Sequence, residues 1–356
     1  MPKNQDFSSG ERSNLGDLDF DPLLPDANLV QEDVPIQSLE LAEAAEPAAM
    51  LTADRLLQEK AKLREIPEGG LRPFIFRASL GRINLGDSKK AQARKALDAR
   101  IAQSLSGSTR FVPVLTRKGG VGKTTVTALI GMALSEIRED RVLAIDANPD
   151  RGTLSERIAR TTDKTVRDVV NKASSITGFQ VFSQYVSRDK TRLDILASDT
   201  DPMISEAFNE GDYNVVADVA SRYYSICLTD CGTGIVHSVM RAILQRADGL
   251  VVVSGGSIDE AKLASETLTW LESNGYSDLV AESVVAVNTG TYGTDLIKID
   301  EIVNHFSSRV RAVVTVPYDK QLASGGVIDY SKLHPETRHA ARELAALVME
   351  GLANER

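Results

Sequence analysis

Cysteine is almost absent from the chain: 356 residues hold two, Cys227 and Cys231, four positions apart. Thiols at that spacing supply neither a disulfide framework nor a complete metal set, so buried free thiols are expected. Histidine is equally sparse, and His237, His305, His334 and His339 show no ligand spacing to cysteine or carboxylate. No apolar run approaches the ~18 to 20 residues that span a bilayer. The opening residues, MPKNQDFSSGER, lack the basic-then-apolar order of a secretory signal. These absences predict a cytoplasmic protein without direct membrane insertion. No internal repeat is visible.

What is present is ordinary globular material, 42% hydrophobic and 26% charged, enough for a sizeable core. The net charge of −9 is unevenly placed. Residues 1–60 carry thirteen acidic against four basic side chains, and residues 61–100 carry ten basic against four acidic ones. An acidic segment beside a basic one can mask it or dock on a basic partner. The plainer alternative is a solvated tail beside a solvated helix.

Residues 1–52 mix Asp, Pro, Ser and Ala without a sustained apolar period and read as a disordered acidic tail. Residues 53–107 read as a basic, partly helical extension. It comprises a short helix at Ala53–Leu63, an apolar and basic segment at Arg72–Gly86 that should order only against another surface, and an amphipathic helix at Ser88–Leu105. That last helix sets Ala93, Leu97, Ile101 and Leu105 at four-residue spacing and is expected to pack on the domain C-terminal to it. From 108 to 356 short β-rich runs alternate with helical segments. The runs are Phe111–Thr116, Val142–Asp146, Leu193–Ala197, Ile226–Asp230, Leu250–Ser254, Val284–Asn288 and Ala312–Val316. Their near-continuous apolar character predicts strands buried on both faces. The fold class is therefore α/β: a doubly wound, mostly parallel seven-stranded sheet with helices on both faces, among them Ile258–Ser273 and a closing helix from Pro335 to about Leu352.

Between the first run and the next helix lies KGGVGKTT, Lys118 to Thr125. Strand, glycine-rich turn and helix start are the context a phosphate-binding loop needs. Gly119, Gly120, Val121 and Gly122 let backbone N–H groups curl toward phosphate oxygens, and the helix N-terminus adds partial positive charge. Lys123 is placed for the β- and γ-phosphates, Thr124 for magnesium and Thr125 for the α-phosphate. Carboxylates at neighbouring strand ends steer magnesium through its waters. Asp230 ends ICLTD in the Walker B manner, and Asp146 ends VLAID.

A common Walker A loop opens on glycine or alanine, whereas here Lys118 precedes Gly119. This resembles the deviant Walker A of the MinD and ParA superfamily, the SIMIBI class of P-loop ATPases, whose pattern is KGGxGKT[ST]. The resemblance covers about Phe111 to the C-terminus. It implies Mg-ATP as cofactor and an ATP-bound homodimer in which Lys118 reaches the partner's nucleotide, making hydrolysis depend on dimerisation. It also implies Asn288 at the adenine edge, and Pro317, within VPYD, at backbone contacts near the base. At Asn148 the family usually carries aspartate to orient or activate the attacking water. An amide positions water but cannot take its proton, so with Asp150 nearby the hydrolysis is expected to be slow, partner-dependent or absent. CGTG, Cys231 to Gly234, replaces the family's TPPG, while Gly232 and Gly234 keep the switch loop mobile.

Within the superfamily, a MinD-like basic membrane helix is not what ARELAALVMEGLANER looks like, since it carries three glutamates. A ParA-like protein binding DNA nonspecifically is the runner-up; no dense basic patch stands out in the ATPase region. DANPDRGTL at Asp146–Leu154, the stretch Asp212–Gly234, and INLGDS near Ile83 resemble the actinobacterial EspI-like proteins of type VII secretion. That resemblance implies an ATP-sensing accessory of a secretion machine acting through protein contacts. Two functional classes remain in view: an ATPase switch that dimerises on ATP, and a nucleotide-gated binding module with little hydrolysis.

Overall fold

The computed structural model describes residues 67–353, except 69, 81, 150, 151, 200, 202–204, 206 and 291–297. The expected tail 1–52, the helix Ala53–Leu63 and Asp150 lie outside the described residues.

Eight strands form one sheet: β1 Arg110–Leu115, β2 Val142–Ala147, β3 Ser187–Arg188, β4 Asp194–Leu196, β5 Ile226–Cys231, β6 Val251–Gly255, β7 Val284–Asn288 and β8 Ala312–Val316. Their order is β3-β4-β2-β5-β1-β6-β7-β8. Every described pairing is parallel except β3 with β4. The seven expected runs are all strands. The eighth, β3, has two residues and therefore leaves no periodic signal. It is held at the edge by Arg188, whose Nε and Nη2 each donate to Asp194 at 2.7 Å.

Side chains alternate across the strands, and this divides the core into two layers. Val112 and Val114 of β1, Ala144 of β2 and Leu228 of β5 join one cluster. Phe111, Leu115, Leu143, Ile145 and Cys227 join the other. Of the helices, α1 (Arg72–Ala78) has no fully buried residue and belongs to neither layer. The first face is covered by α2 (Lys89–Ile101), α3 (Lys123–Ile137) and α8 (Pro335–Ala353). The second face is covered by α4 (Glu210–Ala220), α5 (Ser238–Gln245), α6 (Ile258–Ser273) and α7 (Ile299–Ser307). Both cysteines are free and buried against that second face, where burial pushes their thiols far up.

α2 packs on the sheet domain through Leu97 and Ile101, the latter 0% exposed. Ser88 caps its N-terminus by accepting from the Ala91 N–H at 3.2 Å. The orphan carbonyls of its last turn are met by Arg138, just past α3. Arg138 Nη1 donates to the carbonyls of Ile101 and Gln103, each at 2.7 Å. Arg342 of α8 adds a bond from Nε to Asp98 at 2.9 Å and an ion pair with Glu136. The preceding segment behaves differently. α1 buries no residue, and Leu71, Phe74, Leu80, Ile83 and Leu85 in and around it are exposed.

Ile101→Ala is expected to lower unfolding free energy by about 2–5 kcal/mol in urea titrations, the usual range for truncating a buried branched side chain. A loss below about 0.5 kcal/mol would show that α2 is not part of the core.

Candidate nucleotide site

β1 ends at Leu115, and residues 116–122 turn the chain into α3 without any side chain able to cap the helix; Gly122 holds the N-cap position at φ 95°. That left-handed conformation suits glycine, and space demands it as well. A Cβ on Gly122 would lie 2.2 Å from Asn288 Nδ2. Asn288, at the end of β7, donates through that nitrogen to the Val121 carbonyl at 2.8 Å and accepts from the Gly290 N–H at 3.1 Å. It thus braces the glycine loop from the side.

The loop's two ends differ in exposure. Lys118, Gly119 and Gly120 are exposed, and the Lys118 N–H reaches Thr116 Oγ1 at 3.4 Å. Val121, Lys123 and Thr125 are buried, with Lys123 only 6% exposed. Its ammonium is paired with Asp230 Oδ1. Thr124 Oγ1 donates to the other carboxylate oxygen at 2.7 Å. Thr127, one turn further along α3, donates to the Lys123 carbonyl at 3.0 Å and lies 3.3 Å from Asp230 Oδ1. Its position four residues after Lys123 is the sequence signal that could have singled it out.

Strand register sets the second carboxylate. Asp146 pairs with Asp230 across β2 and β5. Both are fully buried. Asp146 accepts from the Asn148 N–H at 3.2 Å and the Leu154 N–H at 3.0 Å, so it anchors the loop that leaves β2. Gly152 makes that closure possible, since a Cβ there would meet Ser198 Oγ at 1.8 Å and Asp146 Oδ2 at 2.2 Å. Burial, reinforced by the Asp230 charge, raises the Asp146 carboxyl to about 7, while Lys123 and the two N–H bonds oppose the shift.

Asn148 lies against the loop after β5. A Cβ on Gly232 would come within 2.6 Å of Pro149 Cδ and 3.3 Å of Asn148 Oδ1, so the Asn148 and CGTG loops touch. Pro317 follows Val316, the strand partner of Asn288, and lines a cleft with Lys90, Thr315 and His339 beside α8. Sequence reading missed Ser198, which approaches Gly152, and Arg157, on the short 3-10 turn Leu154–Arg157.

Phosphate chemistry fits this donor set. A left-handed glycine turn opens a helix, and a lysine and a hydroxyl converge on one strand-end carboxylate. Fold and site define a P-loop nucleotide-binding protein. The family model described as CobQ/CobB/MinD/ParA nucleotide binding domain matches residues 112–323, and the chain belongs to this family of nucleotide-binding ATPases. The chain is 35% identical over 287 residues to the ESX-1 secretion-associated protein EspI of Mycobacterium tuberculosis. That match takes in 80% of this chain and 42% of the relative, so the chain spans less than half the relative's length. Among solved structures, a ParA family ATPase from Chlorobium tepidum superposes with a TM-score of 0.57 at 20% identity, covering 67% of this chain and 98% of that one. The septum site-determining protein MinD of Pyrococcus horikoshii, complexed with Mg-ADP, gives 0.54 at 21% identity, covering 67% and 94%.

The folded carboxyl of Asp146 titrates above the unfolded one. Its contribution to stability is therefore full below about pH 4 and lost as pH rises through about 7. In the nucleotide-free protein, Asp146→Asn should cost more stability at pH 5 than at pH 8, as read by urea unfolding at both values. An equal cost at the two pH values would show that Asp146 is ionised throughout.

Proposed function

We propose that the chain is a Mg-ATP-binding switch that dimerises on ATP and serves as an accessory of type VII secretion through contacts with other proteins. The observation that carries the nucleotide part is the convergence of Lys123 and Thr124 on Asp230 at the start of α3. Bound Mg-ATP would supply the γ-phosphoryl group together with a counter-charge for it. The chain's own residues divide the remaining work. Asp230 orients the Lys123 ammonium and the Thr124 hydroxyl at the loop, and the backbone from Gly119 to Gly122 offers N–H donors. Thr125 adds a hydroxyl on the first turn of α3.

Lys118 is exposed at the outer end of the loop, a placement that suits contact with a second copy's nucleotide. A positive charge delivered from the partner would make turnover depend on dimerisation. The assignment of Asn288 to the adenine edge and of Pro317 to the base stays a proposal of this reading. Asn288 supports it by bridging β7 to the loop. The secretion role rests on the extended identity to EspI.

A second reading, a nucleotide-gated binding module with little hydrolysis, is favoured by two observations. Asn148 cannot accept a proton from water. Asp146 is fully buried and committed to the N–H groups of Asn148 and Leu154. Both point to slow turnover.

Lys123→Ala is expected to abolish detectable nucleotide binding in calorimetric titration with Mg-ATP; retained binding would refute the site. Lys118→Ala should bind ATP with near-unchanged affinity yet lose turnover by about 10³-fold, and lose the rise of specific activity with protein concentration. Wild-type-like turnover in that variant would remove the role in trans. Binding without turnover by the unmodified chain at any concentration would select the second reading.

A further inference from the structure

Arg157 ends the 3-10 turn that comes after the Asp146 loop. The turn is pinned at both ends. At its start the Leu154 N–H is held by Asp146 Oδ2 at 3.0 Å, and at its finish the Arg157 carbonyl accepts from the Ile328 N–H at 2.8 Å. A loop after β8 closes over the side chain, and a Cβ on Gly325 would stand 3.8 Å from Arg157 Nη1. Within this frame Arg157 is half-buried, and two of its three guanidinium nitrogens lack an acceptor. Its Nε and Nη1 are buried, and no acceptor bonds to either among the described residues. Burial lowers its basicity, and the charges of Glu156 and Asp230 oppose that shift.

A buried cationic donor without an acceptor is costly, and neighbouring carboxylates that do not bond to it compensate only part of that cost. An arrangement that holds the backbone rigid and leaves the donors empty is preorganised for an anion that arrives from outside. The turn starts at Asp146, whose partner in strand register is Asp230, the carboxylate on which Lys123 and Thr124 converge, so an anion bound there would lie on the side of the turn that carries Arg157. Guanidinium N–H groups in a planar fork match the geometry of phosphate oxygens.

We propose that Arg157 is a nucleotide-binding residue whose Nε and Nη1 donate to phosphate oxygens of the bound nucleotide. The inference rests on the nucleotide reading above and adds a third cation to Lys123 and Lys118, supplied by the loop that Asp146 anchors. It also gives that loop a direct stake in whether the site is filled, because Asp146 and the phosphates would then hold opposite ends of one short turn.

The test is made on the full chain carrying Arg157→Met, which keeps length and burial but removes the charge, and Arg157→Lys. Melting temperature is measured without nucleotide, and Kd for Mg-ATPγS and for Mg-ADP by calorimetry. Removing an unpaired buried charge should leave the nucleotide-free melting temperature of Arg157→Met at or above that of the unmodified chain. Its Kd for at least one nucleotide should rise about tenfold or more, with Arg157→Lys between the two. Should Arg157→Met melt lower, the lysine variant decides: native melting with weakened binding supports the assignment, and recovery of both or of neither overturns it. Kd within twofold of the unmodified chain in Arg157→Met overturns the assignment while leaving the nucleotide site intact. Failure of the unmodified chain to bind either nucleotide overturns the site and Arg157's role together.

Discussion

One carboxylate organises the site. Asp230 is fully buried at the end of β5 and receives the ammonium of Lys123 and the hydroxyl of Thr124, with the Thr127 hydroxyl close by. A buried carboxylate needs such partners, and all three come from the first two turns of α3. The pairing therefore fixes the helix against the sheet at the point where the glycine loop ends. Lysine and threonine are kept ready at that loop by a group that must itself remain satisfied.

The second carboxylate works differently although it sits beside the first. Asp146 spends its oxygens on backbone N–H groups of its own loop, and burial next to the Asp230 charge drives its carboxyl upward. It acts as a loop anchor. From that anchor the chain passes Asn148 and Pro149, which press on Gly232 after β5, and ends in the turn bearing Arg157. The two loops, each leaving a strand end at the site, are in contact.

The described stretch ahead of β1 joins the core through α2. Hydrophobic burial at Leu97 and Ile101 and the carbonyl partners offered by Arg138 attach it to α3 and α8. α1, by contrast, exposes Phe74, and Leu71 and Leu80 are exposed beside its two ends.

Local sequence determined a great deal. Continuous apolar runs specify buried parallel strands because each crossover lays a helix on the sheet, and seven were legible that way. KGGVGKTT specifies a phosphate loop because its glycines and its lysine act within eight consecutive residues. A two-residue strand such as β3 has no period to read. Which carboxylate serves the loop and which serves the helix was equally hidden: Asp146 and Asp230 both end apolar strands, and only register and Gly152 commit Asp146 to backbone N–H groups. The same holds for Asn288, whose amide meets Val121 from 167 residues away, and for Arg157, an ordinary arginine in the chain. What distinguishes these residues is burial and the presence or lack of a hydrogen-bond partner, and those are properties of the folded interior rather than of any local pattern.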